Sequence, residues 1–357
     1  MIVRKFQLSR HNKTDRPFRI FAALLHRTLG DFTDQLVFAC TMKENVENAI
    51  LNVHYRPDRP YKEQIISVAP QVKRAWPLKD GIPFDFFDTA AEPPIEMPHG
   101  WRENICHYPD IVLTPSNSNF EKMSNFREHA KFTVPDASYW DENLRLKVSS
   151  SWFAVIHYRD PTYSFRGPQV DRDFNPQDAL PVYDEILNAG GQVVRIGHKG
   201  MQPLPKKMGM IDLSEENFFL QTAAISHARF FFEFSPSGPS HLAMPFGCPL
   251  LRCNQTTIGN NFSDQVVVMP KRVIRDDGMD ETLDFIQSGD FNSRDLGEAK
   301  SHRLLPNTPD QLLEGLSLLL RYTKDEGWRK PPCPKIGGQT GKLTFPMDNM
   351  LDTRLMI

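Results

Sequence analysis

Cysteine is scarce in this chain: five in 357 residues, odd in number, scattered, and without a Cys-x-x-Cys pair. That pattern argues against a disulfide framework or a zinc knuckle and fits a reducing cytoplasm. An excess of one charge is missing too, since 42 lysines and arginines meet 44 aspartates and glutamates for a net charge of −2. No global field favours nucleic acid, so any anion site must be local. Long apolar runs are also absent. Stretches such as Phe21 to Leu25 fall far short of the roughly 20 residues that a membrane-spanning helix needs. The opening MIVRKFQLSRHNKTDR carries basic residues but no apolar core, so it does not read as a signal peptide. No P-loop lysine motif, GxSxG elbow or HExxH pair occurs. These absences leave a soluble, cytoplasmic protein with no transmembrane segment and no nucleic-acid partner as the expectation.

What remains is an ordinary globular composition, 40% hydrophobic and 11% aromatic, in a chain long enough for two separate cores. The 29 prolines predict long irregular loops, and EPPIEMPHGW at 92–101 is one. In the first half, Phe18 to Leu25 reads as a buried strand, followed by the turn HRTLGD and a helix with Phe32, Leu36, Ala39 and Cys40 on one face. Ala49 to His54 reads as a second strand, with shorter ones near Val72 to Trp76 and Asp110 to Thr114. Asp31 has two readings. It is either the N-cap of the first helix, or a general base at the C-terminal end of the first strand, with Asp34 as its substitute.

The polar, aperiodic stretch from Ala137 to Ser151 reads as a domain junction, with the boundary near residue 148. Beyond it the stretch SSWFAVIHYRDPTYSFR opens as a fully apolar strand and breaks into His157, Arg159, Asp160 and Arg166. A strand end rich in cations is where doubly wound α/β domains take ligands, and here the chemistry points to phosphate. Asn175-Pro176 opens a helix that stops at Gly190-Gly191, and QVVRI leads to Gly197, with Arg195 one residue from the strand end. Met210 to Leu213 is a short strand, and Ser214 reads as the cap of the next helix. RFFFEF is a strand, followed by SPSGPSHLAMPFG. Ser235, Ser237, Gly238 and Ser240 there offer hydroxyls, small size and a helix start, the makings of a phosphate cradle. Thr308 and Gln311 form a capping box for a leucine-striped helix to Lys324.

Other clusters are weaker. Asp171-Arg172-Asp173 has the DxD form but no preceding apolar strand, and His198, His227 and His241 lack ligand spacing, so no metal site is expected. Glu233 is either a paired buried acid or a site acid, and Lys271 reads as a solvated strand end.

The second half is similar to a family of bacterial glycosyltransferases associated with surface-carbohydrate gene clusters. The likeness rests on HYRDPTYSFR (157–166), GGQVVRIG (190–197), MIDLS (210–214), RFFFEFSPSGPSHLA (229–243), VVVMPKRV (266–273) and LLPNTPDQL (304–312). It covers mainly residues 151–325, while the first half matches through LGDFTDQL and PDIVLTPS. His157-x-Arg159 also resembles the HxR element of GT-B fucosyltransferases, and Gly30-Asp31 the Gly-Asp turn of GT-B heptosyltransferases. The resemblance implies a GT-B architecture, two Rossmann-like domains facing a cleft: residues 1–148 for the acceptor, 149–330 for the donor, 331–357 a tail.

The function implied is metal-independent transfer of a sugar from a nucleotide-activated donor to an acceptor hydroxyl, in surface polysaccharide or glycoconjugate synthesis. The nucleotide-sugar is a substrate, no cofactor is implied, and the acceptor is a glycan, a lipid-linked group or a protein. Peripheral association with the inner face of the membrane is compatible with this. Asp31 and Arg159 carry the expected chemistry, as acceptor-side base and as partner of the leaving phosphate. His157, Arg166, Arg195, Gly197, Ser235, Ser237, Gly238 and Ser240 are expected to hold the donor. A GT-B-fold epimerase and a non-catalytic nucleotide- or glycan-binding protein are the alternatives.

Overall fold

The computed structural model describes residues 17–77, 111–114, 126–163, 172–255, 265–282, 302–323, 344–347 and 350–352. The chain divides into two compact units, Met1–Thr133 and Val134–Ile357. The boundary lies ahead of the expected one at residue 148. The polar stretch after Asp136 forms a helix, α3 (Ala137–Arg145), rather than an open linker. Trp140 of that helix packs 5.8 Å from Phe219 of the second unit, which draws the segment into that unit.

The first unit begins with β1 (Phe18–Leu24), whose apolar run is covered on both faces. Helix α1 (Leu29–Glu44) follows and is buried from Phe32 to Met42 without a break, so it is a core helix rather than a one-faced surface helix. Then come β2 (Ala49–Tyr55), α2 (Tyr61–Ser67), β3 (Val72–Pro77) and β4 (Ile111–Leu113). The four strands are parallel in the order β3-β2-β1-β4, which places the reversal of strand order beside β1.

In the second unit β5 (Phe153–His157) is central. A short 3-10 turn at Pro176–Ala179, capped by Asn175, leads into α4 (Leu180–Asn188), which ends at Gly190 with φ +82°. Next are β6 (Gln192–Arg195), β7 (Met210–Asp212) and α5 (Phe218–His227). Asn217, not Ser214, caps α5, accepting from the Phe219 amide at 2.8 Å. The order continues with β8 (Phe230–Glu233), α6 (Ser240–Phe246), β9 (Leu250–Gln255) and β10 (Val266–Pro270). Beyond them, β11 (Arg272–Arg275) pairs with β12 (His302–Leu305), and α7 (Pro309–Tyr322) carries the expected Thr308–Gln311 capping box. The tail supplies β13 (Thr344–Met347) and β14 (Met350–Asp352), which extend the main sheet antiparallel from β10.

The parallel part of that sheet runs β7-β6-β5-β8-β9-β10. Renumbered from β5 this is 3-2-1-4-5-6, the doubly wound dinucleotide-fold order. Phe230 and Phe232 of β8, with Phe234 just beyond it, are fully buried against Tyr183, Leu251 and Leu316. Each such ring contributes about 2 kcal/mol by burial alone. Among the described residues no helix is long and apolar enough to cross a membrane.

Candidate functional site

In a sheet of order 3-2-1-4-5-6 the strand order reverses between the first and fourth strands, and the crevice beyond their C-terminal ends is the ligand position. Here those strands are β5 and β8, and their ends carry the residues singled out in the sequence. The Phe234 amide donates to the His157 carbonyl at 2.9 Å, continuing the ladder by one bond past both strands. The Arg159 amide then donates to the Ser235 hydroxyl at 2.8 Å. Arg172 reaches the same place, its guanidinium donating to the Pro236 carbonyl at 3.3 Å. Arg159 itself donates from Nε to Asp173 at 3.0 Å, and among the described residues that is the acceptor its guanidinium meets. Arg159, His157 and Ser235 are therefore brought together at the switch point, with Gly238 half-buried in the loop that follows.

His157 lies beneath this surface. It is buried, and its Nδ1–H donates to the Ile196 carbonyl at 3.0 Å; the carbonyl can only accept, which fixes the tautomer. Burial pushes its pKa down to about 4, so the ring is neutral near pH 7.

Arg195 differs from the expectation of a donor contact. Its side chain is 1% exposed and fully committed to its own unit. It pairs with Asp212 through two nitrogens, donates to the Tyr158 hydroxyl at 2.8 Å and to the Gln202 carbonyl, and stacks toward the Tyr158 ring. A guanidinium whose forks are filled by partners of its own unit holds loops together and has nothing left for a ligand. Gly197 is also a packing position: its amide donates to Gln221 at 2.9 Å, and an added Cβ would lie 2.2 Å from the Met201 sulfur. Arg166 lies outside the described residues.

The serine loop departs from the expected cradle in a specific way. Glu233 is completely buried at the end of β8, and one of its oxygens takes the Ser237 amide (2.7 Å), the Ser237 hydroxyl (2.9 Å) and the Ser240 hydroxyl (2.8 Å). The other takes Arg252 Nε at 2.7 Å and Gln255 Nε2 at 3.2 Å. The hydroxyls of Ser237 and Ser240 thus serve an internal carboxylate, and that of Ser235 serves the Arg159 backbone. They shape the loop from within. Glu233 is the paired buried acid of its two readings. Its signal was present in the sequence, since Glu233 and Arg252 each interrupt an apolar strand, and the register sets them directly opposite. Arg252 passes the contact on to His241 Nε2 at 3.2 Å.

A second feature was not read from the sequence. Asn254, at φ +54°, and Asn307 exchange bonds, each side-chain oxygen taking the other's amide at 2.7 and 2.6 Å. Their amide groups donate onward to the carbonyls of Phe234 and Pro270, both at 2.8 Å, so the ends of β8, β9 and β10 are tied together. Lys271, expected in solvent, is buried beside them.

In the first unit Asp31 is exposed in the first turn of α1 and is not the N-cap, which is Thr28. Thr28 Oγ1 donates to the Asp31 carboxylate. Asp34 is buried within α1. Among the described residues no group of three or more His, Cys, Asp or Glu could hold a metal ion. In the DxD triplet, Asp173 is bonded by Arg159, and Asp171 lies outside the described residues.

No protein-family model and no curated protein matches the chain. Solved structures do. The glycosyl transferase family 9 structure from Veillonella parvula aligns with 87% of this chain and 99% of its own, at TM-score 0.52 and 11% identity. The dodecameric iron-containing heptosyltransferase TibC, in complex with an ADP-heptose, aligns over 87% of this chain and 78% of its own (TM-score 0.47, 14% identity). The E. coli heptosyltransferase WaaC with ADP-2-deoxy-2-fluoro heptose covers 70% of this chain and 92% of its own (TM-score 0.45, 12% identity). The first of these, spanning both units, shows that the two Rossmann-like units of this chain belong to the GT-B fold class.

Proposed function

We propose that the chain is a glycosyltransferase that moves a sugar from a nucleotide-activated donor to an acceptor hydroxyl. The observation that carries this reading is the meeting of Arg159 with the Ser235–Ser240 loop at the switch point of a complete six-strand doubly wound order. As the bond from sugar to diphosphate breaks, negative charge grows on the leaving phosphate, and an oriented cation there lowers the barrier. The Asp173 contact uses Nε of Arg159, which holds the guanidinium in place, and among the described residues its terminal nitrogens meet no acceptor. The Glu233 bonds hold the loop in one conformation before any ligand arrives, which spares the ordering cost of binding. Gly238, without a side chain, lets a phosphate approach the backbone.

On the acceptor side Asp31 is the base. It is exposed in the first turn of α1, the helix that follows β1, the switch strand of its own sheet, and Thr28 fixes its orientation. It would take the proton of the attacking hydroxyl. No metal ion is assigned a role, and the nucleotide-sugar is a substrate rather than a cofactor. The acceptor is a glycan, a lipid-linked group or a protein, in surface polysaccharide or glycoconjugate synthesis.

A thermal-shift panel of ADP, GDP, UDP, CMP and dTDP tests the donor assignment, since a ligand at about 100 times its Kd stabilises the folded state by roughly 2.7 kcal/mol. One nucleotide should raise the melting temperature and the others should not. A panel in which none does, at millimolar concentration, removes the reading.

A further inference from the structure

The contact that orients Asp31 is one that water competes for. Its carboxylate accepts from the Thr28 hydroxyl, and both residues are exposed. A side-chain bond at the surface exchanges with bonds to solvent and by itself fixes little. Keeping the two groups in register therefore falls to the backbone turn that carries them both. That turn is fastened from α2.

Two consecutive residues at the start of α2 do the fastening. Tyr61 donates from its hydroxyl to the Arg27 carbonyl at 3.0 Å, one residue ahead of Thr28. Lys62 donates to the His26 carbonyl at 2.6 Å, and its ammonium lies 5.1 Å from the centre of the Phe32 ring, one residue beyond Asp31. The Thr28 carbonyl accepts from the Phe32 amide at 3.1 Å and closes the turn. The segment from Thr28 to Asp31 is thus gripped at both ends.

Lys62 is an uncommon residue for such a place. Its side chain is 0% exposed, and lysine is almost never so buried unless it is paired. Asp58 meets the charge at 2.6 Å. A methionine of similar length would fill the same space over Phe32 without removing a charge from water. It could not donate to the His26 carbonyl and to Asp58 at once. The buried cation joins three segments: the loop after β1, the loop after β2, and the first turn of α1.

We infer that Lys62, assisted by Tyr61, is a positioning residue for Asp31, acting through the backbone turn and, being buried, out of a substrate's reach. Its catalytic role rests on the reading of Asp31 as acceptor-side base; its grip on the turn does not. A general base works only within hydrogen-bond reach of the proton it takes. A misplacement of about 1 Å costs on the order of 100-fold in rate, so a turn fixed before the acceptor arrives offsets the cost of burying the charge.

The test is carboxyl labelling of the full folded chain with a water-soluble carbodiimide and glycine ethyl ester, read residue by residue by mass spectrometry. Exposed Asp310 at the start of α7 is the internal reference. Lys62→Met should speed the labelling of Asp31 severalfold relative to Asp310, because the freed turn lets the carboxylate leave Thr28. Thr28→Val should give a similar rise. The two together should add little to either alone, since both release the same carboxylate, whereas independent effects would multiply. Should Lys62→Met fail to fold, Tyr61→Phe removes one hydroxyl and keeps the ring, and it should still raise Asp31 labelling. Unchanged labelling of Asp31 in the folded variant, or full additivity with Thr28→Val, would overturn the inference. Asp31 labelling that responds as expected, beside near-normal turnover of Asp31→Asn, would instead remove the base reading and leave the grip on the turn standing.

Discussion

The backbone amide of Arg159 and the hydroxyl of Ser235 are 2.8 Å apart, and this bond joins the loops after the two strands between which the sheet order reverses. A serine there acts as a strand-end clasp. It fixes where the Arg159 side chain leaves the backbone, and Asp173 then fixes the guanidinium from the other side. The crevice is thus preorganised by internal bonds, and its chemistry falls to the groups those bonds aim.

Glu233 holds the serine loop, and its removal should be costly. In Glu233→Ala, Arg252 is left as a buried cation without its carboxylate and Ser237 and Ser240 lose their acceptor. A loss of roughly 3–5 kcal/mol in unfolding free energy is expected. Replacing Arg252 by methionine in the same chain should restore much of it, because the stranded charge is then gone. Urea denaturation of the three proteins measures this. A loss below about 1 kcal/mol for Glu233→Ala would show that the network contributes little.

Stability should fall on mild acidification. His54, packed between the rings of Phe21 and Trp76, and His157 both have pKa values pushed down to about 4 by burial. In the unfolded chain each takes a proton near pH 6.5, whereas the folded forms resist until about 4. The unfolded state therefore binds more protons throughout that window, and stability drops as pH falls through it, by up to about 3 kcal/mol per histidine. Above pH 6.5 the contribution is complete, and below about 4 it is gone. Urea midpoints at pH 7 and 4.5 should differ, and His157→Gln should shrink the difference. An identical pH dependence in that variant would contradict the assignment for His157.

Asp31→Asn should keep donor binding and lose turnover. The amide preserves the contact with Thr28 at the start of α1 but cannot take a proton. A fall in kcat of about 100-fold or more is expected for loss of a general base. Near-normal turnover with the native acceptor would reduce Asp31 to a helix-start residue.

Much of the architecture was legible because apolar runs and caps are local. β1, β5 and β8 announce themselves as buried strands, and α7 by its capping box. Helix α3 was not legible: its sequence ASYWDENLR is polar, and its one packed face is made by partners on α5. The boundary between the units moved with it. In the site, the switch-point residues Arg159 and Ser235 could be read from strand ends alone. Whether a polar group is already spent could not. Arg195 is filled by Asp212, 17 residues on, and the serines by Glu233, whose partner Arg252 is known only once the strand register is known.

The most direct test of the donor assignment is calorimetry of the nucleoside diphosphate selected by the panel, against wild type and Arg159→Ala. The account predicts an unchanged melting temperature, to within a few degrees, and a nucleotide affinity lower by about tenfold or more, as expected for a lost charge-assisted contact. An Arg159→Ala protein that is folded and binds the nucleotide as tightly as wild type would contradict it.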